Sequence, residues 1–349
     1  MGKSKRNYDV IIVGASFAGL AVASKIKTGR VLLIDAKPIG EGVKSACGTL
    51  RETFSRLGFA DCILQAHNKM VIHTALSDFT YHLKSPFCVI DGDKFCHRLF
   101  EAGKTEFVRA KVLGFDGKAV KTTKGSFRAE IFVDASGPNS VLGKSKSRYL
   151  SSGLETIVDY KEKGLHLWYE PKIFPKGVFW LFPQGKTSRA GVASYVGERN
   201  LLPELSGFLK RFKLKPKSLH GGYFPYRIRD PVLGRVFLVG DAAGQCFPIT
   251  GEGIRPSLFF GQKLGEIINL ILDKKVTHQE GLELYGDFVL KGRKYKYELM
   301  YLGQKFITNV PQTLVSAGVF LASKRLIADF FLDKYLNILD SEQNSVSNF

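Results

Sequence analysis

Short apolar runs bounded by glycine alternate along this chain with stretches that carry apolar residues at every third or fourth place. Tyr8 to Val13 (YDVIIV) is a β-branched run of the kind found in strands buried on both faces. Gly14-Ala-Ser-Phe-Ala-Gly19 follows at once. Leu20 to Ile26 (LAVASKI) then predicts a helix of small residues that Gly29 stops. Val31 to Ile34 (VLLI) predicts a second strand, ending in Asp35. Two more short strands are predicted. Ile131-Phe-Val-Asp134 runs into a Gly137-Pro-Asn-Ser140 turn, and Arg235-Val-Phe-Leu-Val239 runs into Gly240-Asp241. Pro248 to Ile254 (PITGEGI) opens a long helix that continues to Leu272. Gly177 to Ala193 (GVFWLFPQGKTSRAGVA) alternates as a strand does, which puts Trp180 and Phe182 on one side.

The last part of the chain reads as helical. Leu282 to Phe306 is aromatic and strongly basic. Leu314 to Leu339 has helical spacing in Leu314, Val315, Val319, Ala322, Leu326, Phe330 and Leu332, with Lys324 and Arg325 between them. Two readings of this segment stay open: it packs on its own domain, or it lies at a bilayer surface with its basic residues toward lipid phosphates. The polar tail from Ser341 to Phe349 is expected to be disordered.

Strand, tight glycine turn, helix, strand, acid is the order of a dinucleotide-binding unit. Gly14 permits the turn, Gly19 lets helix and strand approach, and the helix N-terminus offers free N–H groups to a pyrophosphate. Asp35 can accept from ribose hydroxyls. Ser16 stands where the fingerprint has its middle glycine, and a small serine still admits the phosphates. The two later segments select FAD over NAD. An acid at the C-terminal end of a strand, as in Gly240-Asp241, can reach the ribityl chain of a dinucleotide lying across a sheet. The Gly251-Glu252-Gly253-Ile254 turn would aim backbone N–H groups and a helix N-terminus at a flavin ring.

Charge and composition narrow the setting. Among 349 residues the formal net charge is +19, which favours anionic partners. The basic residues are spread along the chain (Lys3 to Arg6, Lys144 to Arg148, Lys210 to Lys217, Lys291 to Lys296), as on a solvated face, and no nucleic-acid motif accompanies them. The five cysteines Cys47, Cys62, Cys88, Cys96 and Cys246 form no CxxC pair, and the histidines, His166 and His220 included, show no ligand spacing. No metal site or disulfide framework is expected, and the setting is expected to be reducing and cytoplasmic. The charged residues before the first strand do not resemble a signal peptide, and no apolar run is long enough for a spanning helix.

On these motifs the chain resembles the geranylgeranyl reductase family, within the flavoproteins that share the fold of p-hydroxybenzoate hydroxylase. The resemblance runs from residue 8 to about 300. It rests on VGASFAG with Asp35, on the loop Lys44-Ser-Ala-Cys47-Gly48, on Asp91-Gly-Asp-Lys-Phe95 with Leu99, and on DASGPNS and GDAAG…PITGEGI. The family's YxWxFP motif is matched at Trp180, Phe182 and Pro183, with Val178 in the tyrosine position and Gly191-Val-Ala193 in place of the later GxG. Flavin halogenases carry a two-tryptophan version, whose first tryptophan Val178 replaces; flavin hydroxylases lack the WxFP segment.

What the resemblance implies is an α/β fold: a Rossmann-type FAD-binding domain of the p-hydroxybenzoate hydroxylase kind (1–70, 91–145 and 226–275), an antiparallel-sheet substrate domain covering the flavin's reactive face (71–90 and 146–225), a helical C-terminal region (276–340) and the tail (341–349). Expected cofactor contacts are Gly14, Ser16, Ala18, Gly19, Asp35, Ala46, Cys47, Gly48, Thr49, Arg98, Val112, Asp241, Gly251, Gly253 and Ile254. Cys47, Trp180 and Phe182 are the expected catalytic residues, the two rings lining a wall for an isoprenoid chain. The implied reaction is FAD-dependent hydrogenation of isolated C=C bonds in a geranylgeranyl lipid or diphosphate, with transient NAD(P)H or another carrier as electron donor. A flavin monooxygenase acting on an aromatic or lipid substrate is the rival enzyme, and a membrane-associated flavin binder without turnover is the rival of another class. An anionic membrane surface is a further expected partner, and no motif speaks to an oligomeric state.

Overall fold

The computed structural model describes residues 7–43, 46–170, 173–322 and 334–339. The basic Lys3–Arg6 stretch, Lys324, Arg325, Leu326, Phe330, Leu332 and the 341–349 tail lie outside the described residues. Contacts divide the chain into two units: 1–43, 92–148 and 224–294 in the first, 44–91, 149–223 and 295–349 in the second.

The first unit is built on a six-stranded sheet. Its order is Val232–Leu233, Val236–Leu238, Ile131–Asp134, Val10–Val13, Val31–Asp35 and Thr105–Arg109. All neighbours run parallel except the Val232–Leu233 edge pair. The β-branched runs belong here because both faces are covered. Ile11, Val13, Leu32, Ile34 and Phe132 pack with Val120 of a three-stranded sheet (Val112–Phe115, Ala119–Thr122, Gly125–Arg128), where Phe115 meets Phe132 edge-on at 4.8 Å. The register sets Val13 beside both Ile34 and Asp134, and Asp134 beside Leu238. The strands therefore end together, and the loops that follow them share one edge, the usual ligand edge of such a sheet.

The helices of this unit are Phe17–Lys25, Gly92–Glu101, Ile254–Leu272 and His278–Leu290. The last begins with a capping box: Thr277 accepts from the Glu280 N–H while the Glu280 carboxylate accepts from the Thr277 N–H. The basic stretch read as continuous from Leu282 to Phe306 is broken after Leu290 and resumes at Lys294, with Gly292 at φ +71 between. A left-handed glycine ends a helix because it has no Cβ to clash there.

The second unit holds an eight-stranded sheet. Its order is Leu219–Pro225, Leu150–Val158, Thr187–Ser194, Gly177–Gln184, Leu165–Tyr169, Ile63–Thr74, Asp78–Ile90 and Gly48–Leu50. The sheet expected to be antiparallel contains one parallel pair, Leu165–Tyr169 with Ile63–Thr74. The division also differs from the expected one at 44–70. Ile63–Thr74 is an inner strand of this sheet, and its half-polar alternation (ILQAHNKMVIHT) is that of a strand with one partly solvated face. The helix Leu202–Arg211 covers one side, where Phe179, Leu181, Val192, Leu205 and Phe208 form a core, and Phe179 stacks on Phe208 at 4.9 Å. Helices Lys294–Asn309 and Gln312–Ala322 follow. No helix among the described residues is long and apolar enough to cross a membrane.

Candidate active site

At the shared strand edge of the first unit, the Phe17–Lys25 helix starts without a side-chain cap, since Ser16 makes no capping bond. Its first amides are the unused donors that a pyrophosphate takes up. Gly14 has φ +109, and a Cβ there would stand 2.3 Å from the Ala135 carbonyl oxygen. Only glycine makes this turn and this approach. Asp35 accepts from the Ala15 N–H (2.8 Å) and the Lys37 N–H (2.9 Å), which fixes its carboxylate while leaving about half of its acceptor positions for ribose hydroxyls. Gly240 sits against Ala18, since a Cβ on it would meet the Ala18 Cβ at 2.7 Å. The Gly14–Gly19 loop and the Gly240-Asp241 turn are thus neighbours, as one extended dinucleotide requires.

Two strand-end acids have different fates. Asp134 is saturated by its own loop: it accepts from Ser136 N–H (3.0 Å) and O–H (2.5 Å), Ser140 O–H (2.7 Å), and the Leu142 (2.7 Å) and Gly143 (3.3 Å) amides. It shapes the turn and has no oxygen to spare for a ligand. Among the described residues, Asp241 has no such ring of loop donors acting on its carboxyl, which burial and Arg229 govern, so it can accept from a ligand hydroxyl. Buried Gln245 accepts from the Gly240 N–H (2.7 Å) and donates to the Tyr285 hydroxyl, which in turn donates to the Leu238 carbonyl. The Arg229 guanidinium donates to the Asp241 and Ala242 carbonyls and ties the turn to Pro138. Sequence reading missed Gln245, Tyr285 and Arg229, because nothing local marks a residue as the brace of a distant turn.

Burial pushes the Asp241 carboxyl up to about 6, against the opposing pull of Arg229. The unfolded chain loses this proton near 3.8. From about pH 4 to pH 6 the folded state therefore holds the extra proton, stability falls as pH rises, and the full penalty of about 1–3 kcal/mol stands above pH 6. Asp241→Asn removes it. The flavin-free variant is expected to melt above the unsubstituted chain at pH 8 and close to it at pH 4, while its flavin affinity drops about tenfold with the lost charged acceptor. Thermal melts at the two pH values, together with a flavin titration, check this.

In the Thr250–Ile254 bend the Gly251 N–H is spent on the Phe247 carbonyl (3.0 Å) and the Glu252 N–H on the Thr250 hydroxyl (3.3 Å). The donors left for a flavin edge are those of Gly253 and Ile254, which open the Ile254–Leu272 helix without a side-chain cap. Buried Glu252 pairs with Arg255 at 3.1 Å and braces the bend. Arg98 lies exposed on the Gly92–Glu101 helix, and Val112 packs on the apolar core beside the parallel sheet. The Gly14–Gly19 loop, Asp35, Asp241 and the Gly253 and Ile254 amides offer the donors, acceptors and close approaches that a dinucleotide needs, whereas the described contacts of Arg98 and Val112 do not link them to these groups.

The remaining predicted residues belong to the second unit. Ala46, Cys47, Gly48 and Thr49 lead into its short edge strand, Gly48 pairing with Val89 and Thr49 with Cys88. Cys47 is wholly buried at φ +53, a left-handed conformation that costs a non-glycine residue about 1–3 kcal/mol, and its carbonyl accepts from the Ile90 N–H. Trp180 and Phe182 face away from the Phe179 core, their ring centroids 6.3 Å apart. The Phe182 ring lies against Gly48, and the Trp180 indole lies flat on Gly191, where a Cβ would come within 2.1 Å of Cζ2. That contact is the physical reason for a glycine here.

A buried ion cluster anchors this aromatic face. The Glu155 carboxylate accepts from Trp180 Nε1 (3.0 Å) and Arg189 Nη1 (2.8 Å), and His220 Nε2 lies 2.9 Å away. Burial opposes the Arg189 charge, but Cys47, Glu155 and Asp91 together hold its pKa above the usual value. Buried His67 donates to the Pro183 carbonyl (2.9 Å), and burial lowers its pKa, so the ring is neutral at pH 7. Neither His67 nor the Glu155 cluster was singled out from the sequence.

No family model matches the chain. It is 26% identical over 373 residues to a digeranylgeranylglycerophospholipid reductase of Methanococcus vannielii, covering 90% of this chain and 93% of that protein. A solved structure from Thermoplasma acidophilum, described as geranylgeranyl bacteriochlorophyll reductase-like, superposes with a TM-score of 0.83 at 19% identity and covers 97% of this chain and 98% of that one. A probable FAD-dependent monooxygenase from Pseudomonas aeruginosa gives 0.69 at 15% identity, over 90% of this chain and 100% of that one. The fold is that of the p-hydroxybenzoate hydroxylase-like oxidoreductases. Within that class, the curated relatives that the chain matches over most of its length carry the name digeranylgeranylglycerophospholipid reductase.

Proposed function

We propose that this protein is an FAD-dependent reductase that hydrogenates isolated C=C bonds of geranylgeranyl chains carried on an ether phospholipid or a diphosphate. The observation that carries the reading is the likeness to a digeranylgeranylglycerophospholipid reductase over nine-tenths of both chains, which takes in the nucleotide edge and the aromatic face together. Gly14, Ser16, Ala18 and Gly19 hold the pyrophosphate, Asp35 the adenosine ribose, and Asp241 the ribityl chain. Gly253 and Ile254 present their N–H groups to the ring edge, where a helix N-terminus favours negative charge. Bound and reduced FAD would supply a hydride to one alkene carbon, and a proton reaching the other carbon would complete the addition.

The chain's own task is positioning. An isolated alkene is unactivated, so the rate depends on holding it still and dry. Trp180 and Phe182 give the prenyl chain a flat apolar surface, and Glu155, Gly191 and His67 fix how that surface stands. The sequence has one dinucleotide fingerprint. NAD(P)H is therefore a transient visitor, or another carrier delivers the electrons.

The test is anaerobic. FAD-loaded protein, dithionite and a geranylgeranyl phospholipid are incubated together and the lipid mass is read. Each reduced bond adds a pair of hydrogens. Unchanged lipid beside fully reduced flavin would sink the reading, and oxygen-dependent gain of a hydroxyl in air would replace it with the monooxygenase.

A further inference from the structure

We propose that the Lys294–Asn309 helix is a docking face for an anionic lipid bilayer. The helix carries an apolar stripe on the side that it does not bury. Tyr295, Leu299, Leu302 and Phe306 are spaced so that, at 100° per residue, they fall within an arc of about 60°. A helix folded onto its own protein turns such a stripe inward. Here all four are exposed, by 51% to 61%. The buried positions lie on the opposite side: Tyr297, and Gln304, whose amide donates to the Tyr195 carbonyl at 3.1 Å. The inward face thus makes a polar contact while the most apolar stripe meets solvent. The next helix, Gln312–Ala322, has no charged residue and exposes Leu314 and Leu321, two turns apart. Single exposed leucines are ordinary on a protein surface, but a continuous stripe marks a contact site.

Charge selects the occupant. Exposed Lys294 opens the helix, exposed Lys305 lies beside the stripe over the Tyr301 ring, Lys296 on the other side donates to the Ile338 carbonyl, and Glu298 is the helix's one acid. An apolar centre flanked by lysines, whose stems cover apolar surface while their ammonium groups reach phosphates, is the make-up of an interfacial helix. A second copy of the chain would set these lysines against their own kind, at a cost in repulsion. The net charge of +19 acts in the same direction. This inference stands on exposure and charge and not on the reaction, so it can fail while the proposed chemistry holds.

The experiment uses the full chain with vesicles of phosphatidylcholine mixed with phosphatidylglycerol, and with vesicles of phosphatidylcholine alone. The protein is expected to sediment with the mixed vesicles, less at high salt, and weakly with the neutral ones. Leu299→Ser combined with Leu302→Ser is expected to lower the partition on the order of a hundredfold, about tenfold for each leucine withdrawn from the apolar layer. Both sites are exposed, so the melting temperature is expected to hold, and so is turnover of a prenyl substrate dispersed in detergent. A dye on Leu302→Cys is expected to blue-shift on adding anionic vesicles, the five native cysteines being buried. Failure of the unsubstituted chain to bind, or binding untouched by the double variant, overturns the proposal. So does a dimer in solution that the double variant dissolves, since the stripe would then be covered by a second copy.

Discussion

Gly14→Ala protein is expected to purify without the yellow of bound flavin, with affinity reduced at least on the order of a hundredfold. The added methyl would sit 2.3 Å from a backbone oxygen, and the residue would have to keep φ +109. The conformation alone costs a side chain about 1–3 kcal/mol, and a backbone atom cannot step aside as a flexible side chain can. Relief comes only by opening the loop that frames the pyrophosphate, at about tenfold in affinity per 1.4 kcal/mol. The ratio of flavin to protein absorbance after purification measures it. Ser16→Gly is the control, because it restores the common form of the fingerprint and is expected to keep its flavin. A Gly14→Ala chain that holds FAD as firmly as the unsubstituted one would falsify the assignment of the nucleotide edge.

The second large effect belongs to Glu155. Glu155→Ala is expected to destabilise the second unit by about 3–5 kcal/mol, because it strips a buried cation of its partner. Arg189 and Glu155 side chains are only 12% and 4% exposed, so water does little to compensate. Trp180 Nε1 loses its acceptor at the same time. Replacing both charges, as Glu155→Met with Arg189→Met, is expected to recover most of the loss, since an apolar pair leaves no orphan charge. Denaturant unfolding followed by the fluorescence of Trp168 and Trp180 reads both variants, these being the chain's two tryptophans. A single substitution costing under about 1 kcal/mol would show the cluster to be solvated.

The contrast between these sites also explains what could be read from the residues beforehand. Gly14, Asp35 and Asp241 were legible because each sits where a β-branched run ends, and period and punctuation survive in one dimension. Trp180 and Phe182 were legible for the same reason, a spacing of two. Glu155, Arg189 and His220 stand on three different strands. Their meeting is decided by strand pairing far apart in sequence, which no local pattern encodes. The same holds for the parallel pairing of Leu165–Tyr169 with Ile63–Thr74 and for the membership of 44–70 in the second unit. The basic, aromatic stretch reads as helical from its spacing, but its break at Gly292 and the side that each piece turns inward depend on the surface it meets.

If Trp180 lines the prenyl site as proposed, Gly191 carries a consequence for substrate choice. Because the indole rests directly on backbone, with no side chain beneath it, residue 191 sets how far the ring protrudes from the sheet. Relatives with alanine at the corresponding position would hold the ring higher by roughly the thickness of a methyl group and present a narrower berth. On the proposed reading, such a berth would admit a thin chain before a bulky one, so this one position would gauge the width of the chain that lies against the ring.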